Sequence, residues 1–169
     1  THPHDDHCKG FDGNFYHGNP DEYDSTKNEN EIIIGELWVT PRGIGNELAD
    51  SAETIRQEAK RRRNLYDDNT NFVGSYGNFL RIVGYNKQST FDERYGYVPG
   101  TLVTTIDGQD MAWLEMFIHA PFKEDVDKSK DEDDKNATSI VVQYRFKVKN
   151  DIGEIQTVCK LLMLSLIHI

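Results

Sequence analysis

Three histidines and two aspartates fall within the first ten residues, Thr1-His2-Pro3-His4-Asp5-Asp6-His7-Cys8-Lys9-Gly10. As a pattern this is T-H-x-H-x-D-H-x-x-G. No other stretch constrains the fold as strongly, because side chains that converge on a cation must be held by a scaffold around them. In an extended segment, side chains two apart point the same way, so His2 and His4 can reach one cation. Pro3 stiffens the backbone between them. Asp6 and His7 face another direction and suit a second cation beside the first. Neutral imidazoles and a carboxylate are good ligands for zinc, and also for manganese or iron. Two such ions roughly 3.5–4 Å apart can share a hydroxide and clamp both the attacking and the leaving oxygen. Gly10 lets the following turn pack closely against its neighbours. A cluster this dense cannot begin a domain at its first ligand, so we expect the chain to be a piece of a larger protein, with strands preceding Thr1.

The chain has 169 residues and 37% apolar content, enough for a single core. Its net charge of -10 excludes broad electrostatic attraction to nucleic acid or anionic membrane. Nucleic acid is then admissible only as a substrate, held by a local basic patch and metal ions. No apolar run reaches about 18 residues, so no membrane segment is expected. A cytoplasmic location is the working expectation. Cys8 and Cys159 lie far apart and are expected as reduced thiols.

Strand patterns dominate. Residues 11–31, rich in Gly, Asn, Asp and Tyr, read as a long loop over a site. Strands are expected at 32–39, 78–85, 113–119, 139–149 and 155–163, with a weaker one at 102–106. The pair 139–149 and 155–163 forms a hairpin across Asn150-Asp151-Ile152-Gly153. Asp50-Ser51-Ala52-Glu53 starts one amphipathic helix that ends near Asp67. The class is mixed α/β (α+β) with much antiparallel pairing. Lys60, Arg61, Arg62 and Arg63 read as a solvated helix face paired with Glu58 and Asp67. Trp113, Phe117 and Tyr144 read as core. The charged stretch 123–135, whose only apolar anchor is Val126, reads as a solvated loop.

The last six residues, Leu164-Ser165-Leu166-Ile167-His168-Ile169, match the translation of a common transposase sequencing adapter. We therefore read 164–169 as an adapter-derived tail on a metagenomic fragment, give His168 no functional weight, and expect the natural protein to continue past Met163.

The opening segment resembles the signature of the metallo-β-lactamase-fold superfamily, matching at Thr1, His2, His4, Asp6, His7 and Gly10. Further along, Asn136-Ala137-Thr138-Ser139-Ile140-Val141-Val142 and Lys160-Leu161-Leu162-Met163 are similar to strands in the hydrolase domain of DNA-uptake competence proteins. The resemblance implies that residues 1–163 are an incomplete αβ/βα sandwich, lacking N-terminal strands and a C-terminal part. It implies a dinuclear site, zinc first, with His2 and His4 on one ion and Asp6 and His7 on the other. The bridging carboxylate and a last histidine would lie beyond the chain. Relatives often carry a third histidine on the first ion where this sequence has Asn136. Asn136, His119 and His17 are the further candidates for metal or substrate contact.

The function implied is hydrolysis of an ester or phosphodiester by a metal-bound hydroxide, with Asp6 anchoring the second ion and orienting the nucleophile. Two alternatives share the fold: an iron-dependent redox enzyme, and a non-catalytic domain with a degraded site. With its edge strands missing, the isolated chain is expected to be molten or aggregated and inactive.

Overall fold

The computed structural model describes residues 8–45, 52–68, 75–84, 95–122, 124–126 and 138–163. The fold is mixed α+β, with few helices and several small sheets. A short helix α1 (Phe11–Asn14) leads into β1 (Phe15–Tyr16), which pairs in parallel with β2 (Ile32–Ile33). Residues 11–31 are thus more ordered than the long loop expected from composition. Their cohesion is local: Phe11 and Phe15 stack at 5.3 Å, and Tyr16 meets Tyr23 edge-on at 5.2 Å.

The β-branched run at 32–39 divides at Ile34-Gly35 into β2 and β3 (Glu36–Val39). β3 joins β4 (Phe79–Val83) and β5 (Gly96–Tyr97) in a parallel three-stranded sheet. Parallel neighbours need a crossover. Between β3 and β4 it contains α2 (Glu53–Asp67), the one long helix expected from sequence. Leu37, Val39, Leu80 and Ile82 turn one face of this sheet towards Ala59 and Tyr66 of α2, forming the first apolar cluster.

The second sheet is antiparallel, in the order β11 (Ile155–Met163), β10 (Val141–Lys149), β9 (Leu114–Ala120), β6 (Leu102–Val103). A small hairpin of β7 (Thr105–Ile106) and β8 (Gln109–Asp110) projects between β6 and β9. The alternation anticipated at 139–149 is realised: Val142, with Tyr144 and Phe146, turns towards Met116, Ile118 and Leu114. Trp38, Val83 and Tyr97 of the parallel sheet close this second cluster from the other side. The order of layers is therefore helix, parallel sheet, antiparallel sheet.

Three expectations fail in instructive ways. Phe117, read as core, is half-buried, belongs to neither apolar cluster and carries the Arg145 guanidinium over its ring at 5.1 Å. Trp113 is 58% exposed rather than core. It stands one residue before β9, where alternation places it opposite the buried Leu114. Arg62, read as part of a solvated face, is 1% exposed. The helix buries a polar stripe, Glu58 and Arg62, beside its apolar one. Both cysteines are thiols rather than halves of a disulfide, with Cys8 buried and Cys159 exposed.

Candidate metal centre and its supports

His2, His4, Asp6 and His7 lie outside the described residues, as does Asn136. What the structure describes is the platform that follows them. Cys8 is buried. Gly10 adopts φ 94°, a left-handed conformation that costs glycine nothing and other residues about 1 kcal/mol or more. The chain thereby turns into α1 directly after the ligand segment; a Cβ at Gly10 would meet only the Asn14 amide of the same turn, at 3.3 Å.

Helix α2 then holds this platform. The Asp12 carboxylate accepts from Nε2 of His17 at 3.0 Å and from the Thr54 hydroxyl at 3.4 Å. The amide of Gly18 donates to Oε2 of Glu58 at 3.0 Å. Glu58 is itself buried and also accepts from Nε of Arg61 at 2.8 Å and from Nε of Arg62 at 2.6 Å. Arg62 continues inward, donating to the carbonyls of Phe79 and Ile34 at 2.9 Å each and to that of Gly35 at 3.3 Å. Burial pulls the Arg62 guanidinium below its ordinary value, and the Glu58 carboxylate opposes that shift. One buried ion pair thus connects the loop after the ligand segment to the Ile34-Gly35 link that leads into β3 and to the first residue of β4.

On the opposite face of β3 sits a second polar cluster. Glu36 accepts from the indole of Trp38 at 2.8 Å, from Nε of Arg81 at 3.1 Å and from the amide of Asp107 at 3.1 Å. Asp107 occupies the tip of the β7–β8 hairpin at φ 51°. Its carboxylate lies against Gly35, where a Cβ would come within 2.3 Å of Oδ2. Desolvation first, and the nearby Glu36 carboxylate second, raise the Asp107 pKa.

His17 is partly exposed, at 40% of its side-chain surface, and is engaged by Asp12. His119 is exposed on β9, with its ring edge-on to Phe117 at 4.9 Å. Among the described residues, no group of three or more His, Cys, Asp or Glu side chains could hold a metal ion. The described residues therefore do not bring His17 and His119 into a ligand set with each other. A shallow polar cavity of about 240 Å³ lies along Gly13 and Thr26 to Glu31, and its one cation, Lys27, is paired with Asp24 at 3.2 Å.

The basic run Arg61-Arg62-Arg63 pairs as expected with Glu58 and Asp67, the latter at 3.6 Å from Nε of Arg63. Sequence reasoning missed that Glu58 and Arg62, four apart on one helical face, form a buried strut. The signal was present in that spacing. It was hidden because charged residues on a helix are usually solvated. The Glu36–Asp107 proximity, across 71 positions, had no local signal.

No protein-family model matches this chain, and no curated protein and no solved structure matches it. No helix among the described residues is long and apolar enough to cross a membrane.

Proposed function

We propose that the chain is the ligand-bearing part of a metal-dependent hydrolase of metallo-β-lactamase-like architecture, acting on an ester or phosphodiester. The observation that carries this is the donor set, three imidazoles and a carboxylate at His2, His4, Asp6 and His7 within six residues. Its chemistry fits zinc, with manganese or iron as alternatives. Support comes from the left-handed Gly10 that ends the segment and from the ties between Asp12 or Gly18 and α2. The helix–sheet–sheet order is compatible with three layers of an αβ/βα sandwich.

His2 and His4 would hold one ion, and Asp6 and His7 the other. When bound, such ions supply Lewis acidity and an activated water near neutral pH. Asp6 would anchor the second ion and help orient the nucleophile. Asp12 and Glu58 act at one remove, by fixing the turn that follows the ligands. The test is hydrolysis of a bis-phosphodiester and of an aryl ester with metal in excess, comparing the full-length protein with its His4→Ala/Asp6→Ala variant. Loss of turnover is expected. Unchanged turnover in the variant would refute the assignment.

A further inference from the structure

The β7–β8 hairpin turns at Asp107-Gly108, with both residues at positive φ, 51° and 72°. This is the two-residue turn that Asp-Gly sequences favour. Its tip is seated rather than free. The Asp107 carboxylate lies against Gly35, and Gly108 lies against the buried Phe79, where a Cβ would come within 2.7 Å of Cζ. The Asp107 amide donates to Oε2 of Glu36 at 3.1 Å. Gly35 and Phe79 are also residues whose carbonyls receive Arg62. The tip therefore sits over the seam where the Arg62 strut ends. A two-stranded hairpin is marginal in water by itself. Its order here depends on that seat and on Ile106 and Met111, which pack against the second apolar cluster.

The seat suits a neutral carboxyl better than an anion. Oδ1 of Asp107 is buried and has no hydrogen-bond partner among the described residues. A carboxylate oxygen taken from water without a donor favours the protonated form. Two charged groups face it, Glu36 of β3, whose side chain is 2% exposed, and Arg62 of α2. Glu36 repels an ionised Asp107 and Arg62 attracts it. Arg62 gives its hydrogen bonds to Glu58 and to backbone carbonyls. Arg81 of β4 pairs with Glu36 at 3.1 Å and lies 5.0 Å from the Tyr97 ring of β5. Desolvation and the Glu36 charge outweigh Arg62, so the Asp107 pKa is raised. Asp110, the other carboxylate of the hairpin, is exposed.

We infer that the hairpin is an acid-closed latch: its tip stays seated on Gly35 and Phe79 while the Asp107 carboxyl is protonated, and lifts towards water when it ionises. The base of the hairpin holds in both states, through the Met111 amide on the Thr104 carbonyl at 2.8 Å. Leu37, Val39, Leu80 and Ile82 keep the parallel sheet on α2 in both states as well. By linkage, seating is strongest in acid, weakens as pH rises from about 3.9 through the raised value, and is constant above it. Each unit between the lifted and seated values is a tenfold change in the seating equilibrium. Baring Phe79 opposes the lift, so the seated form stays populated at neutral pH and the response is graded. Neither metal nor hydrolysis enters.

The experiment is hydrogen–deuterium exchange of the full-length protein, read by mass spectrometry from about pH 4 to about pH 8. Labelling times are scaled to the intrinsic exchange rate at each pH. The peptide spanning 104–111 is expected to lose protection at least about threefold as pH rises, while the peptide spanning 141–149 keeps its own. Asp107→Asn removes the charge and suits the positive φ, and is expected to hold its protection across the range. Asp110→Asn alters the exposed carboxylate and is expected to behave as the wild type. The latch is refuted by pH-independent protection of 104–111 in the wild type, or by an equal loss in Asp107→Asn. It is refuted equally if Asp110→Asn abolishes the loss, or if 141–149 loses protection in parallel, which marks global unfolding.

Discussion

Replacing Arg62 by Met removes the strut that joins α2 to the Ile34-Gly35 link before β3 and to β4. Its guanidinium is 1% exposed and makes one ion pair, 2.6 Å to Glu58, and bonds to the carbonyls of Phe79, Ile34 and Gly35. Removing one partner of a buried pair costs about 3–5 kcal/mol, because the other charge stays buried. Here Glu58 keeps Arg61 and the Gly18 amide, which lowers the cost. The carbonyls of Phe79 and Ile34 lose a donor, which adds about 1 kcal/mol or more. Methionine returns some apolar packing. We expect a net loss of about 3 kcal/mol, or a Tm fall of roughly 6–12 °C for a chain of this size. The assay is urea unfolding followed by Trp38, whose indole bonds Glu36 beside β4, in a Trp113→Phe background that removes the exposed indole. The Glu58→Met/Arg62→Met double variant should lose less than the two single losses together, by about 2 kcal/mol, because the two charges leave as a pair. Stability of Arg62→Met within about 1 kcal/mol of wild type, or strictly additive losses, would refute the reasoning. A wild-type trace without any cooperative step would uphold the expectation of a molten isolated chain and would refute the stabilising role of the Glu58–Arg62 strut.

Two further outcomes follow from the hairpin and the sheet junction. The pKa of Asp107 is raised on folding, so ionising it opposes the folded state. Stability from this group is greatest in acid, falls as pH rises from about 3.9 through the raised value, and is flat above it. Asp107→Asn, which suits the positive φ, should therefore raise Tm at pH 7 and leave it unchanged near pH 3, and a lower Tm at pH 7 would contradict this. Gly84 has φ 95° and sits where a Cβ would come within 2.8 Å of Pro121, at the junction of the two sheets. Gly84→Ala should cost at least about 2 kcal/mol in urea unfolding through strain and overpacking, and an unchanged midpoint would show that the junction yields.

Period and punctuation made the major elements legible in the sequence. The two-residue alternation of 139–149 and 155–163 located β10, β11 and their turn, and the 3.6-residue spacing from Ala52 to Leu65 located α2. Pairing partners were not legible, because the parallel contacts set Glu36 beside Phe79 and Ile82 beside Gly96 with no turn to register them. Polar burial was not legible either. Glu58 and Arg62 look like surface charge until the carbonyls of Ile34 and Phe79 are brought to them by tertiary packing. Trp113 erred in the opposite direction, since aromatic residues are core by default and only the phase of β9 puts this one outside. At the candidate site, glycine at position 10 was read as a close-packing residue, whereas the structure uses it for a positive φ. The support from Asp12 and Glu58 was not.

The central claim is that His2, His4, Asp6 and His7 hold divalent metal. Its most direct test is the zinc content of the protein after equilibration with zinc and removal of free ion by gel filtration, measured beside a His2→Ala/His4→Ala/Asp6→Ala/His7→Ala variant. Stoichiometric zinc is expected in the wild type and background zinc in the variant. Equal zinc in both would contradict it.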